Sequence, residues 1–173
     1  MIKQSFIKLK AYWSSTGTKS NPPASSEDIV LFESQNGVIL PQDLCEYFQE
    51  FNGMQENEFD GEMFSFWSLK KIKPVPEILA EHGGIPDYRE VICHLPVADS
   101  YFIFADYFIF SHVYAIHLSQ DSTAKNQILW IGGGTSFYVI ADSFSDFLEK
   151  YLDHPSSANN SILFPVELKS VAR

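Results

Sequence analysis

Among 173 residues there are only two arginines, Arg89 and Arg173, and ten lysines, against 22 acids, which leaves a formal net charge of −10 with neutral histidines. Nucleic-acid backbones are bound by clustered cations that displace counterions, so a chain this poor in them is not a general nucleic-acid binder. Long apolar runs are missing too. The longest, from Tyr101 to Phe110, is interrupted by Asp106 and reaches about half of the roughly 20 residues that a membrane helix needs. Cysteine is scarce: Cys45 and Cys93 stand far apart with no CxxC spacing, which favours two buried, reduced thiols over a disulfide scaffold or a zinc site. The amino-terminal stretch MIKQSFIKLKAYW places a lysine every few residues and has no continuous apolar core, so it lacks the pattern of a secretory signal. These absences point to a cytoplasmic protein that neither spans a membrane nor binds nucleic acid directly.

What the chain does have is apolar and aromatic bulk. Hydrophobic residues make up 45% and aromatics 15%, including 15 phenylalanines, which is ample for one packed domain of this length and too much for a disordered chain.

Charge is distributed unevenly. Residues 1–26 hold four lysines and no acid, whereas residues 27–62 hold ten acids and no lysine or arginine. Acids on helix exteriors commonly just keep a protein soluble, but ordinary surfaces intersperse both signs. This stretch is therefore a candidate surface for a basic partner, whose association would be steered electrostatically and weakened by salt.

The apolar spacing of Ile2, Phe6, Leu9 and Trp13 predicts a lysine-bearing amphipathic helix, ended by a Ser- and Pro-rich loop up to residue 25. Ser25 followed by Asp28 forms a capping-box pattern for a second helix that stops at Asn36-Gly37. Pro41 begins a third, with Leu44, Tyr47, Phe48 and Phe51 as its core stripe and Asn52-Gly53 as its end. The following MQENEFDGE reads as an exposed acidic loop, and residues 63–69 as a strand. Residues 74–82 then form a short helix. Five further runs, 91–95, 100–104, 112–118, 127–131 and 136–140, read as strands of one mostly antiparallel sheet, with Ala105-Asp106 and Gly132–Gly134 as turns. A last helix, capped at Asp142-Ser143, buries Phe144, Phe147, Leu148, Tyr151 and Leu152. Helices followed by strands and a closing helix define an α+β domain with a sheet of five to six strands. The expected organisation is an amino-terminal helix and loop (1–25), the α+β domain (26–153) and a tail (154–173), partly docked or flexible, with one apolar patch from Ile162 to Val166.

No pattern of residues supports catalysis. His112 and His117 lie five apart on one strand and so face opposite sides, which prevents them from sharing a metal ion. Asp106 is more simply a turn residue than a catalytic carboxylate. Ser111 beside His112 in an extended chain points away from it, and the triple glycine sits between two strands instead of before a helix, so it cradles no phosphate. No metal or other cofactor is expected.

The segments SSEDIVLFESQNGVILPQDLCEYFQEFNGM, FSFWSLKKIKPV, YFIFADYFIFSHVYAIHL and IADSFSDFLEKYL, in that order, resemble the SUKH superfamily, the Smi/Knr-type fold of bacterial toxin-immunity proteins and fungal cell-wall-synthesis regulators. The resemblance spans roughly residues 26–153 and implies the SUKH-like single-domain fold. For function it implies a non-enzymatic protein-binding module: an immunity protein that binds and neutralises a polymorphic or contact-dependent toxin, or else an intracellular adaptor without a toxin partner. Combined with the acidic stretch, it makes a basic toxin domain such as a nuclease the expected partner. Glu56, Glu58, Asp60 and Glu62 are then the candidate contact carboxylates, with Phe59 and Trp67 as candidate aromatic anchors.

Overall fold

A computed structural model describes residues 2–153. The tail and its patch from Ile162 to Val166 lie outside the described residues.

Three helices come first. In α1 (Ile2–Thr16) Ser5, Leu9 and Trp13 are buried at intervals of four, with Ile2 and Phe6 partly buried beside them. α2 (Ser26–Asn36) begins with the full capping box between Ser25 and Asp28 and ends at Gly37 in the left-handed region. α3 (Gln42–Glu50) starts directly after Pro41 and buries Leu44, Tyr47 and Phe48. The acidic loop then leads into β1 (Phe64–Phe66) and, beyond a detour over residues 67–72, β2 (Lys73–Pro74). Two short helices follow, α4 (Val75–Leu79) and α5 (Arg89–His94), and after a single 3-10 turn at Ala98–Ser100 come β3 (Tyr101–Tyr107), β4 (His112–His117), β5 (Ile128–Ile131), β6 (Phe137–Ala141) and α6 (Phe144–Asp153).

The sheet is antiparallel throughout, in the order β1-β3-β4-β5-β6, with β2 also pairing to β3. β1 and β2 share one edge of β3, because Phe64 pairs with Tyr107 and Lys73 with Ile103. Between them the chain leaves the sheet, and that departure shapes the cleft described below. Aromatic edges bind the helices to the sheet: Phe66 meets Tyr151 at 5.0 Å, Phe104 meets Phe147 at 5.1 Å and Tyr47 meets Phe144 at 4.9 Å between ring centroids.

Three expectations need correction. Residues 91–95 are not a strand: Val91 and Leu95 are buried one helical turn apart, and the Asp87 carboxylate accepts the Arg89 amide at 3.0 Å at the helix entrance, so local hydrogen bonding and tertiary burial override the β-type composition. Ala105-Asp106 is not a turn: β3 runs through both, and the reversal comes at residues 108–111. The thiols are free but not both buried, since Cys45 is half-buried and Cys93 on α5 is exposed.

Candidate functional site

A cleft of about 420 Å³ opens between the acidic loop, the detour after β1 and the tip of the β3–β4 hairpin. Its floor is built by Trp67 and Asp106, which are separated by 39 positions. Trp67 leaves β1 with its amide still donating to Phe104 O at 2.8 Å, and its indole Nε1 donates to Asp106 Oδ2 at 2.7 Å. Asp106 Oδ1 accepts the Phe110 amide at 3.3 Å. Glu56, Phe59, Lys71 and Ile109 stand around the opening.

The hairpin tip is strained. Phe108, Ile109 and Phe110 all adopt positive φ, at 45°, 53° and 62°, a conformation that costs an L-residue roughly 1–2 kcal/mol each. Their surroundings enforce it. Phe110 stacks on His82 at 5.3 Å, contacts Trp67 at 5.6 Å, and its carbonyl accepts from the Tyr88 hydroxyl at 2.8 Å. Strain held in this way concentrates at functional sites; here it pushes Phe108 and Ile109 into solvent, 55% and 69% exposed. Ile109→Gly is accordingly expected to raise unfolding free energy in urea by about 0.5–1 kcal/mol, by relieving the left-handed strain at an exposed site. A loss of stability would show that the tip is not strained.

Glu56, Phe59 and Trp67 come together in the cleft. Glu58 and Glu62 do not line it: Glu58 lies near the Lys19 amide at 3.4 Å, and the Glu62 amide donates to Asp60. Asp60 and Trp67 are not surface groups, at 5% and 2% exposed. Asp60 Oδ1 accepts the amides of Glu62 and Phe64, each at 2.9 Å, while Oδ2 accepts from the Tyr151 hydroxyl. Burial raises the Asp60 carboxyl above its ordinary range against the opposing pull of these donors, and burial together with Asp60 raises Glu62.

Much of the acidic stretch serves the fold in the same way. Asp28 caps α2, Glu33 accepts the Leu40 amide at 2.8 Å, and Asp43 receives the Ser145 amide and hydroxyl at 2.7 and 2.9 Å at the start of α6. The ten acids are therefore not one continuous face.

Elsewhere, His112 is buried against the rings of Tyr107 and Trp130, with Nε2 at 3.1 Å from the Tyr114 hydroxyl, and burial pushes it down to about 3. His117 Nδ1 lies 3.1 Å from Lys125 O. Among the described residues no group of three or more His, Cys, Asp or Glu side chains is placed to hold a metal ion, and no helix is long and apolar enough to cross a membrane. The residues that sequence reasoning missed are Asp106, Lys71 and the tip Phe108–Phe110. Only Asp106, a carboxylate inside an apolar run, carries a signal in the sequence, and its local pattern is that of a turn.

The model of the SMI1 / KNR4 family (SUKH-1) matches residues 23–150, and the chain belongs to this family. A search of curated proteins gives no match.

Proposed function

We propose that this SUKH-1 member is a cytoplasmic, non-enzymatic protein-binding module of the immunity type, which neutralises a cognate toxin domain by covering it. Family membership supports protein binding as the mode of action. The observation that carries the reading is the union of a strained, exposed apolar tip with a cleft that has aromatic walls and a carboxylate floor. Apolar residues at the centre of a contact supply most of its affinity, while surrounding charge sets the association rate. With Glu56 lining the cleft and Glu58 and Glu62 on the adjoining acidic loop, a basic partner such as a nuclease domain is the best complement.

Co-expression with the product of the directly adjacent gene tests the reading. A toxin that is neutralised and co-purifies supports it, whereas a neighbour that is not toxic and does not bind favours the adaptor role instead. Charge reversal of Glu56, Glu58 and Glu62 together is expected to lower the association rate about tenfold at low salt, with little change in dissociation. Asp60 is left out because its replacement would test folding. Stopped-flow rates that are independent of salt and of the reversal would remove the steering role.

A further inference from the structure

The cleft's chemistry narrows what enters it, on the premise that the protein-binding reading holds. Lys71 Nζ sits 4.2 Å from the centroid of the Trp67 ring. Burial lowers the Lys71 ammonium below its ordinary range, against the opposing attraction of Asp106 and Glu56. The chain thus already seats one cation on an aromatic face, in a cleft that the carboxylates of Asp106 and Glu56 also line. Asp106 itself is 3% exposed, and among the described residues it has no salt bridge: the indole N–H and the Phe110 amide are its hydrogen-bond donors. Neutral donors leave room for a charged partner at a buried carboxylate.

We infer that the cleft is a subsite for a cationic side chain, arginine or lysine, presented by the protein partner, and that Lys71 is its displaceable internal stand-in. Lys71 is an exposed residue of the otherwise mostly buried detour between β1 and β2, with a flexible stem, and a cation–π contact of this kind is weak enough to exchange. A guest cation takes over the Trp67 face and the two carboxylates. Its aliphatic stem packs on Met54 and Phe59, and the partner's adjoining surface covers Phe108 and Ile109. Acidic or phosphorylated ligands are repelled by Asp106 and Glu56.

The test is an NMR titration of the full-length chain, reading the indole N–H resonance of Trp67, assigned through Trp67→Phe. The probes are capped tripeptides Gly-Arg-Gly and Gly-Lys-Gly, with Gly-citrulline-Gly as the neutral control. The Trp67 signal is expected to shift with either cationic peptide and not with citrulline. Lys71→Ala should bind the cationic peptides about fivefold tighter, because the competitor is gone. Asp106→Asn should weaken them about tenfold, and the exposed Glu56→Gln, which leaves the floor intact, should weaken them severalfold. No shift, equal binding of citrulline, or Lys71→Ala binding no tighter than the parent overturns the inference. If the adjacent gene's product binds and Lys71→Ala and Glu56→Gln leave its affinity unchanged, the subsite is wrong while the protein-binding reading stands. If the peptides bind as expected but that product does not, the subsite stands and the immunity reading falls.

Discussion

Gly53→Ala is expected to destabilise the protein by about 4 kcal/mol and to spoil the cleft as it does so. Gly53 lies just past the end of α3 with φ of 72°, and a Cβ there would meet the carbonyl carbon and oxygen of Trp67 at 2.4 Å and the Ser68 amide nitrogen at 2.6 Å. Neither strand of backbone can step back. Trp67 is held to β3 by its bond to Phe104 O, and Leu69 donates to Asn52 Oδ1 at 3.0 Å. The left-handed backbone alone costs an alanine roughly 1–2 kcal/mol, and breaking one or two buried hydrogen bonds to make room adds about 1–3 kcal/mol each. Gly134 separates the two contributions, since it has φ of 67° and nothing within 4 Å of its would-be Cβ. Gly134→Ala should cost only the conformational part, about 1 kcal/mol. Urea unfolding of both variants reads the difference, and equal costs would refute the close-approach argument. Tryptophan fluorescence and peptide titration of Gly53→Ala then report on the cleft, because the shifted atoms belong to Trp67.

That glycine was visible in the sequence as a helix end, but not as the residue on which Trp67 rests, and the same division holds across the chain. Features enforced by neighbouring residues could be read directly: the Ser25–Asp28 capping box, Gly37, the start of α3 after Pro41, the stripe Phe144, Phe147, Leu148 and Tyr151, and the glycine turn between β5 and β6. Features enforced from a distance could not. Asp106 continues a strand because its charge is met by an indole from β1's extension, and no window around YFIFADYFIF contains that partner. Phe108–Phe110 carry no glycine or asparagine to announce left-handed backbone, since His82, Tyr88 and Trp67 hold the tip in place. Within the acidic loop, composition singled out the neighbourhood of the cleft, and Glu56, Phe59 and Trp67 do line it. A count of charges cannot separate Glu56, in solvent, from Asp60, in the core. The pair Asp60-Gly61 did carry a local hint, because an aspartate that accepts the amide two residues on is an Asx turn.

Asp60 is accordingly where the reading by charge and the reading by structure differ most, and Asp60→Ala is expected to cost about 3 kcal/mol, whether or not a partner is present. The carboxylate ties the loop to α6 through Tyr151, whose hydroxyl also accepts from Trp13 Nε1 of α1 at 3.3 Å. α1 precedes the matched span of residues 23–150, so this junction ties a helix outside that span to the matched domain. Removing the carboxylate takes the acceptor from two amides and a phenol at once. Asp60→Asn keeps an oxygen for both amides and should cost about 1 kcal/mol. The two variants also differ from the parent in pH dependence. Since the folded-state value of Asp60 is raised, the native state keeps a proton that the unfolded chain has already lost above the ordinary value of 3.8. The contribution of Asp60 is therefore largest below that value and is lost as pH rises through the folded one. His112, lowered to about 3, acts in the opposite sense, losing stability as pH falls below about 6.5, but it is shared by parent and variant and cancels in their difference. The stability of the parent minus that of Asp60→Asn should thus decline with rising pH from 3.8 upward and then level off. A difference that is flat with pH would place Asp60 in an ordinary, solvated environment, and would return it to the surface that the sequence alone had assigned it.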